Sequence, residues 1–304
     1  MNKQSIKIVF FGTSEFAEVI LNKILRVTDY GLRVTNIITQ PDKPVGRKKI
    51  LTPPSVKTFA QQKNVPVLQP KKLDSDFNKK ILAFEPNLFI VAAYGNLLPY
   101  STLAIPKYGA LNIHPSLLPK YRGPSPIQTA LLNDDQQTGI TIIKMDEKMD
   151  HGQIINKQES IINKQDTYSS LSKKLAEKAA ELLIKTVPDY ISGKIKPIPQ
   201  DHRNATFTKI IKKQDGLITK EKTATQIFNM WRAYQHWPGI YLESGVKLLD
   251  IELTDLKNSS SKLFTENKNL YLSCANNTVL KINAVQPSGK NPMNAQNFIN
   301  GYMK

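Results

Sequence analysis

Asn112 and His114 sit two residues apart at the end of an apolar run, Ala110-Leu111-Asn112-Ile113-His114. On an extended chain such a pair projects from one face. Pro115 and Pro119 follow and end the run, which places the pair at the carboxyl end of a sheet strand, where open α/β sheets take their ligands. A side-chain amide beside an imidazole can donate hydrogen bonds to an oxyanion developing on a carbonyl under attack. A second cluster, Met145-Asp146-Glu147-Lys148-Met149-Asp150-His151-Gly152, follows the apolar Thr141-Ile142-Ile143 and so falls at the same sheet edge. A carboxylate there can orient His114 for proton transfer. Asp146 and Asp150 both meet that description, and spacing does not separate them; an Asp- and Gly-rich turn also serves the backbone alone. His151 beside these carboxylates lacks EF-hand or HExxH spacing, so no metal is expected.

The elements that must hold these residues read as alternating strands and helices. Ile6-Lys7-Ile8-Val9-Phe10-Phe11 is strand-like, Gly12-Thr13 a turn, and Ser14 a cap for a helix through Phe16, Val19, Ile20 and Ile24. Further strands are expected at Val34 to Thr39 and Val65 to Leu68, with a helix at Ser55 to Gln62 between them. Leu88 to Ala93 is apolar without alternation, as in a parallel strand covered on both faces. Gly139 to Met145 and Gln153 to Lys157 continue the strands, and a helix from Asp166 to Thr186 closes the unit. This alternation predicts a doubly wound parallel sheet. Residues 187–206 carry Pro188, Gly193, Pro197 and Pro199, a linker composition. Beyond them a helix is expected at Thr223 to Gln235, then short strands at 240–242, 246–251, 269–273 and 279–285, which suggest a small barrel. The expected division is a catalytic domain over 1–189, a linker over 190–206 and a C-terminal domain over 207–304.

Composition narrows the class. The 304 residues are 40% hydrophobic and 22% charged, globular values that exclude collagen-like or wholly disordered chains. No apolar run approaches the ~18 residues of a membrane span, and the first residues lack the apolar core of a signal peptide, so a soluble cytoplasmic chain is expected. The single cysteine, Cys274, excludes an internal disulfide and a Cys-based zinc cluster. Lysine and arginine total 42 against 25 acidic residues, a net charge of +17. Residues 1–206 hold 29 basic and 18 acidic side chains, and 207–304 hold 13 and 7. Positive charge on both halves suits an anionic macromolecule such as a nucleic acid; a lysine-rich compositional bias is the plain alternative. The stretch Gln40-Pro41-Asp42-Lys43-Pro44-Val45-Gly46-Arg47-Lys48-Lys49 is a long basic loop able to grip phosphates. Gly12-Thr13-Ser14 does not continue into GxGxxG, because Ser14 stands where the second glycine is needed, which argues against a nicotinamide-dependent enzyme.

Together these residues resemble a known family. Asn112-x-His114-x-Ser116-Leu117-Leu118-Pro119, then Tyr121-Arg122-Gly123-Pro124 and Pro126-Ile127-Gln128, with Met145-Asp146-x-x-x-Asp150-x-Gly152 downstream, is similar to the signature of the folate-dependent formyltransferases. The resemblance covers nearly the whole chain. It implies a Rossmann-like catalytic domain followed by an oligonucleotide-binding (OB-like) barrel. It also implies Asn112, His114 and Asp150 as the catalytic trio, leaving Asp146 as a turn residue. Ser116, Leu117, Leu118 and Pro119, with the backbone at Tyr94 and Gly95, are implied to contact 10-formyltetrahydrofolate as co-substrate. The basic loop resembles that of the branch acting on initiator methionyl-tRNA, with Lys43, Arg47, Lys48 and Lys49 as its tRNA contacts. Val285-Gln-Pro-Ser-Gly-Lys-x-Pro292-Met293 and Phe298-x-Asn300-Gly301 resemble the C-terminal domain of that branch. His151 departs from the family pattern, where a small or polar residue is commoner.

Sister activities stay in view. Glycinamide ribonucleotide formyltransferase is normally one domain, which leaves residues 207–304 without a use. The family's hydrolases and dehydrogenases usually carry an extra module. Sugar-nucleotide formyltransferases can carry a similar C-terminal domain and are the nearest rival, but the basic loop and the net charge favour tRNA. A catalytically silent RNA-binding protein has no need of the trio. No coiled coil or large apolar stripe demands a partner, so a monomer is expected.

Overall fold

The computed structural model describes residues 5–27, 31–46, 48–260 and 262–303. The chain opens with β1 (Ile6–Gly12), α1 (Glu15–Arg26) and β2 (Leu32–Ile38), then β3 (Lys43–Val45) and β4 (Ile50–Thr52). Next come α2 (Ser55–Gln62), β5 (Val67–Leu68), α3 (Ser75–Leu82), β6 (Leu88–Ala92), α4 (Tyr100–Leu103) and β7 (Ala110–His114). α5 (Pro126–Leu132), β8 (Gln137–Lys144), β9 (Gln153–Ile161) and the long α6 (Tyr168–Ile191) follow.

The central sheet has the order β5-β2-β1-β6-β7-β8-β9. Its first five strands are parallel, as the sequence predicts. β8 and β9 are not: β8 runs antiparallel to β7, and β9 antiparallel to β8. The acidic turn between β8 and β9 is too short for a parallel crossover, which needs a dozen or more residues. Every residue of β6 is buried, as expected for a central strand covered on both faces. Phe11, Phe89 and Tyr94 pack around one another there, with Phe11 edge-on to Tyr94 at 5.4 Å. Helix α1 turns Phe16, Ala17, Ile20, Leu21 and Ile24 inward at helical spacing. Ser14 takes the extended N-cap conformation, but its side chain makes no capping bond.

The chain divides into two compact units by proximity of Cα atoms. One comprises Met1–Pro126, Gln137–Ile161 and Ser172–Thr208; the other comprises Ile127–Gln136, Ile162–Leu171 and Lys209–Lys304. The second unit holds α7 (Ala224–Ala233), β10 (Ile240–Tyr241), β11 (Lys247–Lys257), β12 (Leu263–Glu266), β13 (Asn269–Ser273), β14 (Thr278–Gln286), β15 (Met293–Asn294) and α8 (Ala295–Tyr302). Its sheet is antiparallel, in the order β10-β11-β14-β13-β12, with β15 on β14. Thr223 caps α7 through Gln226 in a reciprocal capping box. Arg232, at the far end of α7, is buried and bonds Asp134 Oδ1 at 2.9 Å and Asn229 Oδ1 at 2.6 Å. It therefore fixes the Ile127–Gln136 segment to the helix.

Candidate active site

β7 is paired with β6 on one side and β8 on the other, with Asn112 opposite Val91 and Ile143, and His114 opposite Thr141. The pleat sends Asn112 and His114 to the same face, as the two-residue spacing predicts. The turn after β8 brings Asp150 to them. Asn112 Nδ2 donates to Asp150 Oδ1 at 3.1 Å, and His114 Nδ1 lies 3.5 Å from the same oxygen. The second Asp150 oxygen accepts from the Gly123 amide at 2.8 Å. Of the two carboxylates that spacing leaves open, Asp150 is thus the one brought against the pair. Asp146 instead contacts His151, Oδ2 to Nδ1, at 2.6 Å.

The imidazole of His114 is almost enclosed, its side chain 6% exposed. Its Nε2 lies 2.8 Å from the carbonyl oxygen of Tyr121. That carbonyl is an acceptor, so Nε2 carries hydrogen, and the ring is anchored with Nδ1 turned toward Asp150. At 3.5 Å the Nδ1 contact is longer than a hydrogen bond, which leaves that nitrogen available to a ligand.

The support around the trio is extensive. Asp150 has φ 50°, in the left-handed region. That region is unfavourable for most side chains and less so for Asp. The buried Gln200 side chain holds it there, with Nε2 donating to the carbonyls of Asp150 at 2.9 Å and Gly152 at 2.7 Å. Gln200 Oε1 accepts in turn from Arg122 Nη2 at 2.7 Å. Burial pulls the Arg122 guanidinium below the usual arginine value, while Asp150 and then Asp146 oppose that pull. Gly152 has no room for a side chain, because a Cβ there would run into the carbonyl oxygen of Lys144. Residues 206–208 lie against 121–125. Arg122 N donates to Thr206 O at 2.9 Å, Thr208 N to Arg122 O at 2.7 Å, and Tyr121 N to Thr206 Oγ1 at 2.8 Å. This fixes the two backbone groups, Tyr121 O and Gly123 N, that orient His114 and Asp150.

Thr141 is fully buried beneath the Ser116–Pro119 loop. Its hydroxyl donates to Ser116 O at 2.7 Å and accepts from Leu118 N at 3.0 Å. Leu117 seats over Gly139, where a Cβ would overlap it, and the Leu118–Pro119 peptide is cis. Tyr94 and Gly95 follow β6, the strand next to β7. The Tyr94 ring belongs to the core, and burial pushes its hydroxyl up to about 12. Its carbonyl accepts from Thr13 Oγ1 at 2.9 Å, while Gly95 is exposed with φ 90°. The basic segment is a hairpin of β3 and β4 rather than an irregular loop, and Lys43, Lys48 and Lys49 are exposed on it. Arg47 lies outside the described residues. At the hairpin base, hydrogen bonds from Gln69 and then Lys57 hold the Asp42 carboxyl below the usual range. Thr141, Gln200, Thr206 and Thr208 are the supporting residues that sequence reasoning did not single out.

Residues 6–187 match the family described as formyl transferase, and residues 210–303 match the formyl transferase C-terminal domain. The chain belongs to the formyl transferase family. A protein of Caldicellulosiruptor saccharolyticus named methionyl-tRNA formyltransferase is 41% identical over 304 residues, covering 97% of this chain and 96% of the relative. A Bacillus cereus protein of the same name is 39% identical over 303 residues, with the same coverage. Among solved structures, an N-formyltransferase from Helicobacter canadensis, crystallised with folinic acid and dTDP-3-aminofucose, superposes with a TM-score of 0.68. It is 18% identical to this formyl transferase, covering 91% of this chain and 98% of that one, which establishes the shared fold.

Proposed function

We propose that this chain transfers the formyl group of 10-formyltetrahydrofolate to the α-amino group of methionine on initiator methionyl-tRNA, in the cytoplasm. The observation that carries the reading is the convergence of Asn112, His114 and Asp150 in a chain about 40% identical, end to end, to proteins of that name.

The amine must be neutral to attack, and an α-amino group with a pKa of roughly 7.7–8.0 already supplies a usable neutral fraction at pH 7. Asn112 gives one amide hydrogen to Asp150 and keeps the other for the formyl oxygen. His114 Nδ1 faces the same place from an adjacent position and, when it carries hydrogen, is the second donor. Two donors aimed at one developing oxyanion, in a site shielded from water, lower the barrier to addition. Asp150 holds Asn112 by a hydrogen bond and sits beside the imidazole. The donor's pteridine lies between the Ser116–Pro119 loop and the backbone at Tyr94 and Gly95. These two segments follow the neighbouring strands β7 and β6, and the exposed Gly95 leaves room for a ligand against the backbone. Lys43, Arg47, Lys48 and Lys49 contact tRNA phosphates; the exposure of the three described lysines and the net charge of +17 support this.

The test is formyl transfer from 10-formyltetrahydrofolate to methionyl initiator tRNA, with glycinamide ribonucleotide, an amino-sugar nucleotide and water as competing acceptors. Transfer to the tRNA alone is expected. His114→Ala should lower kcat by about 10²–10³, the usual cost of removing one oxyanion donor. Transfer to the amino-sugar nucleotide instead would overturn the choice of acceptor.

A further inference from the structure

Beside the trio, on the same turn as Asp150, lies a group of titratable side chains that oxyanion stabilisation does not use. The ring of His151 stacks on that of His202, with centroids 4.0 Å apart and planes within 3°. His202 Nδ1 is 2.8 Å from Arg122 Nη2. A guanidinium only donates, so His202 Nδ1 is the acceptor and its ring is neutral, with hydrogen on Nε2. Loss of hydration, then His151 and then Arg122 hold His202 below the ordinary histidine value. On the other side of the stack, His151 Nδ1 is 2.6 Å from Asp146 Oδ2. A carboxylate only accepts, so His151 carries hydrogen on Nδ1. Among the described residues nothing bonds its Nε2, and the side chain is 29% exposed.

This is the arrangement of an oriented base, with a carboxylate fixing one ring nitrogen and leaving the lone pair of the other free. The charged groups around His151 are Asp146 on its own turn, Asp150 next to it, and Arg122 and Asp201 on the far side of His202. Each Asp150 oxygen already accepts one hydrogen bond, from Asn112 or from the Gly123 amide, whereas among the described residues nothing bonds His151 Nε2. The neutral His202 adds no repulsion when a proton arrives on its neighbour.

We infer that His151, aligned by Asp146 and stacked on His202, accepts the proton that the acceptor's α-ammonium group must lose before it attacks. The inference rests on the proposed function. The step balances: His151 Nε2 takes one proton from R–NH3+, giving R–NH2 and an imidazolium. The amine lone pair then forms the N–C bond to the formyl carbon, and the bond from that carbon to the donor nitrogen breaks. A second amine proton passes to the leaving nitrogen, and the imidazolium returns its proton to water. One proton is released per formyl group transferred.

The experiment is kcat/KM for methionyl initiator tRNA from pH 6 to 9, for the wild type, His151→Gln and Asp146→Asn. His151→Gln is expected to be about 10- to 100-fold slower below pH 7, at or under the usual range for general base catalysis. It should converge on the wild type above about pH 8.5, where the amine is already neutral. Asp146→Asn should show the same shape with a smaller loss, and KM for the folate donor should not move in either variant. A His151→Gln profile parallel to the wild type, whether equal to it or uniformly lower, overturns the inference. Nitrogen-detected NMR of the wild-type protein gives a readout independent of the variants. Hydrogen on Nδ1 of His151 and on Nε2 of His202 supports the inference, and either opposite tautomer overturns it. Wild-type protein inactive on methionyl-tRNA would overturn the proposed function together with the inference, whereas an active wild type with an unshifted His151→Gln profile overturns the inference alone.

Discussion

Thr141→Val replaces one buried side chain by another of nearly the same shape and removes only the hydroxyl. That hydroxyl bonds Ser116 O at 2.7 Å and Leu118 N at 3.0 Å, and Thr141 is fully buried. The valine methyl bonds neither, so a carbonyl and an amide are left unpaired in a site that water does not reach. An unsatisfied buried group costs about 1–3 kcal/mol, giving about 2–6 kcal/mol for the pair. That is a large fraction of the ~5–15 kcal/mol stability of a typical protein. The assay is urea unfolding followed by far-UV circular dichroism. The midpoint should fall with an unchanged slope, and Tm should drop by about 2–4 °C for each kcal/mol removed. Thr141→Ser keeps the hydroxyl, loses one methyl and should cost only about 1 kcal/mol. Because the two orphaned groups belong to the loop proposed to hold the folate, Thr141→Val should also raise KM for the donor more than it lowers kcat. A Thr141→Val stability within about 0.5 kcal/mol of the wild type, or Thr141→Ser as damaging as Thr141→Val, would refute the bridging role.

Other perturbations test separate parts of the molecule. Gly152→Ala drives a Cβ into the Lys144 carbonyl, so the turn must shift; about 1–3 kcal/mol of stability should be lost and kcat should fall as Asp150 moves, read from unfolding and transfer rates on the same preparation. For Asp215, burial raises the carboxyl, but hydrogen bonds from Lys209 at 2.6 Å and Lys212 N at 2.7 Å bring it below its ordinary value. A depressed carboxyl stabilises the fold above about pH 4, and the gain is lost as pH falls through the folded value, so the stability gap between wild type and Asp215→Asn should be full at pH 6 and shrink toward pH 3. Replacing Lys43, Lys48 and Lys49 by alanine should raise KM for tRNA and flatten its salt dependence by about 0.7–0.9 in log–log slope for each phosphate no longer neutralised, with KM for folate unchanged; an unaltered slope would remove these lysines from the tRNA interface.

Local signals carried much of the fold. α2 runs over Ser55–Gln62 and β13 over Asn269–Ser273, both where the pattern places them, because each is bounded by breakers and has a clear period. The direction of β8 was harder to read, since a continuous apolar run looks the same in parallel and antiparallel pairing. The short turn after it settles only that β9 returns antiparallel to β8, as only a hairpin closes in that length. The β3–β4 hairpin read as a loop because three-residue strands containing Pro44 show no alternation. At the site, the two-residue spacing put Asn112 and His114 on one face; spacing left Asp146 and Asp150 equal, the family resemblance pointed to Asp150, and the fold sets the Asp150 carboxylate against the pair. Thr141, Gln200 and Thr206 were invisible for a common reason. Their partners lie 23 to 85 residues away, and a single polar residue in a strand or a Pro-rich stretch announces no such pairing.

Gln200, Thr206 and Thr208 have a practical consequence for anyone recombining this enzyme with its relatives. They lie beyond α6, in a stretch whose composition invites a cut, yet they grip the Asp150 turn and the 121–123 segment that anchors His114. A chimera joined soon after residue 189 would import these bonds from the donor of the second half. The transplanted segment would then set the geometry of chemistry it was never meant to bring. A junction after Thr208 keeps the clamp with the groups it clamps, although it parts Arg232 from Asp134.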